Sequence, residues 1–218
     1  MADQAVGGPL AVDVFGIGGN WIAQNNKNND VSDRASGLKA NGDEAASKMF
    51  NGRNEISVPY KCFVETGNLT LPNVGSVSNG YVITQVVLAP AKDNFPTMTV
   101  TGHQHDSNAH TALNEYAATL TIPAQFGIPT MFSQSNAACG KVSMSYTLAC
   151  DHIDETGGTG DHLAGQNLNG RETLALEYIG TPSHTVPAGW DTLNTEDDGD
   201  NTKFDTTSCN FHHLLLRS

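Results

Sequence analysis

The sequence predicts a mainly β protein: an antiparallel β-sandwich or barrel with one short flanking helix and long polar loops. Three observations carry this. Apolar and polar residues alternate with a period of two through several segments, and Gly, Pro and Asn clusters divide those segments. The composition is also lean in both apolar residues (38%) and charged ones (16%), against ~45–50% and roughly 25% in an average globular chain. Gly, Thr, Ser and Asn take up the difference. Disorder pairs low hydrophobicity with dense charge, so this profile instead suits short strands, many turns and uncharged polar surfaces. Such surfaces can be buried against a neighbour at less desolvation cost than Lys- or Glu-rich ones.

Taken in order, residues 1–33 read as an N-terminal arm and loop, and 34–218 as a single β-rich assembly domain. Leu10 to Ile17 suits an edge strand or arm, and the Asn-heavy stretch Gln24 to Asp33 an exposed loop or a segment ordered by a partner. The one helix is expected over Asp43 to Phe50. Asp43 sits in a capping position, Ala45 and Ala46 favour helix, and Asn51-Gly52 would stop it.

From there the period becomes two. Ile56, Val58, Tyr60, Cys62 and Val64 share one face, and Pro59 within the run points to an edge strand or a bulge. Strands are further expected at Asn68–Leu71, Gly80–Ala89, Thr97–Thr101, Ala118–Ile122, Lys141–Cys150, Thr173–Ile179 and Thr206–Leu216. The clearest is Lys141–Cys150, with Val142, Met144, Tyr146, Leu148 and Cys150 on one side. Two long polar loops are expected at Asp154–Gly170 and Thr192–Thr202.

The net charge of −12 opposes phosphate gripping, which needs clustered Lys and Arg, and opposes attraction to anionic lipid. It keeps the chain soluble, and it would also let DNA pass a surface without sticking. No apolar run reaches the ~20 residues of a membrane span. The first residues, MADQAVGGPLAVDVFGIGGNW, have no basic start and no leader-like apolar core, so no secretory signal is expected and folding in a cytoplasm is. Of the four cysteines, Cys62, Cys150 and Cys209 fall in expected strands and read as small buried hydrophobes, while Cys139 and Cys150 could bridge a hairpin only in an oxidising compartment. No spacing suits a zinc ribbon or finger.

The sharpest chemical candidate is GHQHDSNAH at Gly102–His110. His103 and His105, two apart in an extended segment, face one side, and His110 with Asp106 could complete a transition-metal site. The plainer account is a polar strand end whose histidines bond locally. The group Asp151, His152, Asp154, Glu155, Asp161 and His162 has calcium-loop composition without an EF-hand order, and reads as a solvated acidic loop. Asp197, Asp198 and Asp200 read the same way. His212 and His213, being adjacent, face opposite sides of a strand. FGIGGNW at Phe15–Trp21 lacks a phosphate-loop spacing and suits a tightly packed turn, and no nucleophile signature is present. The expectation is therefore a non-enzyme that needs no cofactor, with a transition metal at His103, His105 and His110 as the exception.

The short MADQAVGGP start, the Asn/Gly-rich arm at 20–33, a single short helix and a Thr/Ser-rich sheet in a small acidic chain resemble a bacteriophage tail tube protein, a virion structural subunit. That resemblance implies a β-sandwich or barrel with a flanking helix and extended arms, stacked as rings into a conduit through which DNA slides without specific binding. Its partners would be copies of itself and other virion proteins, with no membrane, in a virion made in a host cytoplasm. A capsid decoration or cement protein is the alternative, and a metal-binding module or enzyme using His103, His105 and His110 the second one.

Overall fold

The computed structural model describes residues 13–25, 27–40, 44–105, 114–134, 140–156, 158, 162–180, 184–198 and 206–215. For 28–38, 44–52, 105, 133–134, 156, 162 and 197–198 it describes the backbone alone. Among these residues twelve strands follow in order: Trp21–Ala23 (β1), Lys27–Leu38 (β2), Glu44–Cys62 (β3), Val77–Ser78 (β4), Tyr81–Ala89 (β5), Thr97–His105 (β6), Ser133–Gln134 (β7), Gly140–Thr156 (β8), His162–Ile179 (β9), His184–Thr185 (β10), Trp190–Asp198 (β11) and Thr206–Leu214 (β12). Ten of them form one antiparallel sheet ordered β1-β3-β6-β5-β8-β9-β12-β11, with β2 also on β3 and β4 also on β5. β7 and β10 make a separate two-stranded sheet.

Period-two alternation sets which face is covered. Ile56, Val58, Tyr60 and Cys62 of β3, Val86 and Leu88 of β5, Met98 and Val100 of β6, and Met144, Tyr146, Leu148 and Cys150 of β8 join one buried cluster with Leu174, Leu176 and Tyr178 of β9. Opposite the sheet lies extended irregular chain, which takes the place of a sandwich's second sheet. Leu69, Val74, Tyr116, Ile122, Ala124, Ile128 and Met131 belong to the same cluster. The two covering segments hold each other: Leu69 N–H donates to Ile122 O (2.8 Å), and Tyr116 N–H donates to Val74 O (2.8 Å). FGIGGNW supplies two more core groups, Phe15 and Trp21, and Trp21 Nε1 donates to Thr70 O (2.8 Å).

Mainly antiparallel β structure is thus observed, with several corrections inside it. The expected helix over Asp43–Phe50 is absent: Glu44–Phe50 is strand, paired with Asp33–Leu38 of β2. A helix of that length is marginal alone, and a paired strand satisfies the same backbone groups across the hairpin. Lys27–Asp33, expected as loop, is β2 itself, so the 33/34 boundary falls within a strand. Thr192–Asp198 is strand β11, and Asp154–Thr156 and His162–Gly170 belong to β8 and β9, where loops were expected. Conversely, Ala118–Ile122 is extended cover and not strand, and Asn68–Leu71 keeps only a bridge from Asn68 to Pro123.

Pro59 is second from the edge. Its carbonyl accepts from Gln24 N–H (2.8 Å), which shows that its missing donor also faces the gap between β1 and β2. The edge strand is interrupted where β3 has no N–H to offer.

Candidate functional site

β8 keeps its alternation beyond the core. After Cys150, the side chains of His152 and Asp154 are 5% and 16% exposed, whereas Ile153 between them is 52% exposed. Opposite on β9, fully buried Asn167 pairs with His152. Its amide is held by two carbonyls: Nδ2 donates to Asn114 O (3.0 Å) and to Gly75 O (3.2 Å). Gly75 can approach so closely only without a side chain. Its φ is +86°, and a Cβ there would lie 2.1 Å from Asn114 O and 2.7 Å from Asn167 Nδ2.

With Nδ2 committed, Asn167 Oδ1 faces His152 Nδ1 at 2.6 Å, so Nδ1 carries a proton and donates it. His152 Nε2 then faces Asp154 Oδ1 at 2.8 Å. Burial, the largest single influence, lowers the His152 pKa. The hydrogen bonds to Asp154 and Asn167 and the Asp154 charge outweigh it and hold the imidazole above its ordinary value. Buried His103, from β6, packs against His152 with ring centroids 4.4 Å apart and the rings tilted by 59°. One donor atom from each of His103, His152 and Asp154 lies within 4.8 Å of the others.

A second polar centre sits under the covering segment. Glu172 of β9 is fully buried and accepts from Tyr146 Oη (2.6 Å), Thr119 N (2.7 Å), Thr119 Oγ1 (2.5 Å) and Leu120 N (3.4 Å), and its Oε2 pairs with His213 Nδ1 at 2.9 Å. Burial first, then the Glu172 charge, pushes the Tyr146 phenol far above its ordinary value, so it remains a donor. His213 packs on Trp190 (centroids 5.4 Å) at the wall of a cleft of about 680 Å³ that Asn73, Glu115, Thr119 and Asp191 also line. An acid–imidazole pair beside a cleft has the parts of a general base. Its carboxylate is spent on five contacts that tie Thr119–Leu120 to β8, β9 and β12, which is the work of a structural pin.

Of the sequence candidates, His103 lies in the first centre. His105 ends β6 opposite Arg53; its side chain, and His110 and Asp106 entirely, lie outside the described residues. From the presumed acidic loop, His152 and Asp154 turn inward, while Asp151 pairs with Arg171 (2.7 Å) and Asn169 (2.9 Å) and Glu155 is exposed. Asp161 and Asp200, and the side chains of His162, Asp197 and Asp198, lie outside the described residues. Cys62, Cys150 and Cys209 are buried; Cys139 lies outside the described residues. Asn167 and Glu172 were missed. The signal for Glu172 was a charged residue on the apolar face of Leu174, Leu176 and Tyr178.

No known protein family matches the chain, and no curated protein matches it either.

Proposed function

We propose that this chain is a non-enzymatic structural subunit that assembles with copies of itself, in the manner of the bacteriophage tail tube proteins its sequence resembles. The observation that carries the reading is the β2–β3 hairpin. β3 pairs with β6 only from Arg53 to Lys61, yet its pairing with β2 continues outward to Leu38↔Glu44. Among the described residues, the ribbon from Asp33↔Phe50 outward has no third strand. A two-stranded ribbon is marginal in water by itself and gains stability by lying on another surface.

Other features support the same reading. Large exposed apolar side chains sit on both outer strands (Ile22 of β1, 56%, and Leu193 of β11, 62%) and on the β8–β9 ribbon (Ile153 and Leu163). Phe63, Phe95 and Phe126 form a surface aromatic group, with centroids 5.5 and 5.3 Å apart. Heterologous contact between unlike patches, repeated around an axis, closes a ring. A net charge of −12 suits a lumen that does not grip DNA.

Negative-stain microscopy of concentrated protein tests the reading. Rings or tubes are expected from the wild type. They should vanish when Arg34–Met49 is replaced by an Asn-Gly turn joining Asp33 to Phe50. Intact tubes from that variant would refute the assignment of the ribbon.

A further inference from the structure

We propose that His103, His152 and Asp154 bind one divalent transition-metal ion, zinc above all, which staples the base of the β8–β9 ribbon to β6 across β5. The argument starts from the tautomer. Asn167 Nδ2 donates to two main-chain carbonyls, so its Oδ1 must face His152 Nδ1. The His152 proton is therefore on Nδ1, and the lone pair of Nε2 points at a carboxylate oxygen 2.8 Å away. Two acceptors do not stay at that distance without a cation between them. A proton is one such cation and a metal ion is the other.

Three features favour the metal. A histidine ligand whose second nitrogen donates to a fixed carbonyl has the second shell that metal sites use to set tautomer and orientation. A second imidazole, His103, stands with its ring 4.4 Å from that of His152, and one donor atom of each of the three residues falls within 4.8 Å of the rest. Tetrahedral zinc, with bonds of about 2.0–2.1 Å, spaces its ligand atoms by about 3.3 Å. The three groups thus reach coordination by opening the His152–Asp154 pair by about half an ångström and drawing His103 in. Two imidazoles and one carboxylate select zinc, cobalt or nickel over magnesium or calcium, which prefer all-oxygen shells.

The staple has a mechanical purpose. Among the described residues, β8 pairs with β5 only over Tyr146–Ala149, and from Asp151 outward it pairs only with β9. His103, on β6, lies two strands away from β8. An ion held by both fixes the angle at which the ribbon leaves the sheet.

The test uses full-length, tag-free protein stripped with a chelator and titrated with Zn²⁺ and, separately, Co²⁺. Calorimetry should give one ion per chain, cobalt should develop visible bands of a low-coordinate site, and zinc should raise the melting temperature. Asp154→Asn, nearly isosteric, and His103→Gln should each weaken binding by at least about tenfold, as losing even an outer-shell partner does. His212→Gln, outside the site, should leave binding unchanged. If His152→Asn does not fold, those two variants still decide. Absence of saturable binding, or binding that survives both Asp154→Asn and His103→Gln, would overturn the proposal, leaving the proton as the cation between the pair.

Discussion

At the scale of single residues, stability is concentrated where buried polar groups are fully matched. Glu172 joins Tyr146, Thr119, Leu120 and His213 at one point with no exposure. Glu172→Gln keeps the shape but turns one acceptor into a donor facing donors, and should cost about 1–3 kcal/mol in denaturant unfolding. Glu172→Leu strands several polar groups in the core and should cost about 3–5 kcal/mol. Equal, small losses from both would show that the pin carries no strain-free network. The thiols give a second check. Burial, then the Asp151 charge, pushes Cys150 up to about 12, and Cys62 and Cys209 are buried as well. In a Cys139→Ser background no thiol should react with a disulfide reagent at neutral pH until the chain is unfolded.

One of the three residues of the first centre was legible at this scale. His103 was a visible candidate. His152 and Asp154 continue the period of Met144, Tyr146, Leu148 and Cys150 by two further steps, but their polarity and the glycines that follow disguised the strand as an acidic loop. The meeting of His103 with His152 depends on β5 lying between β6 and β8, a pairing no local pattern encodes.

At the scale of elements, strands with one covered face were readable and ribbons were not. β3, β5, β6, β8, β9 and β12 alternate because one face meets the core. Among the described residues, the outer parts of β2, β3, β8 and β9 are long hairpin strands without a third neighbour, and there polar residues interrupt the apolar–polar pattern that marks a strand in the sequence. Glu44–Phe50 failed for this reason: Asp43, Ala45 and Ala46 suggested helix, while six cross-strand pairs with Asp33–Leu38 decided otherwise. Because the ribbon beyond Asp33↔Phe50 pairs with no third strand among the described residues, excising Arg34–Met49 should change the unfolding free energy of the monomer by less than about 1 kcal/mol. A collapse of the fold would mean the ribbon supports the sheet.

The β7–β10 pair carries a pH dependence. His184 packs against Tyr178 and Phe211 with centroids 5.2 and 5.4 Å apart, and among the described residues neither of its ring nitrogens has a hydrogen-bond partner. Burial lowers its pKa from 6.5. The unfolded chain therefore takes up the proton first as pH falls. This contribution to stability is complete above about 6.5 and is lost as pH drops through that value towards the folded pKa. Imidazole NMR should place the His184 titration below that of an exposed histidine, and His184→Phe should flatten the acid limb of the stability curve. A titration at or above the ordinary value would contradict the burial.

At the scale of the molecule, the described residues form one ten-stranded sheet and a small two-stranded one covered by extended segments, with outer strands, a ribbon and an aromatic group that the proposed assembly would cover. The described part of residues 1–33, read from sequence as an arm and loop, belongs to the core and the sheet. Phe15 and Trp21 are core residues and Lys27–Asp33 is sheet, so the contact proposed for assembly is the β2–β3 ribbon. Sedimentation velocity across a wide range of concentration and ionic strength tests this most directly. Self-association predicts species of many times 23.1 kDa that grow with concentration and disappear when the ribbon is excised. A single 23.1 kDa species under every condition would contradict the account.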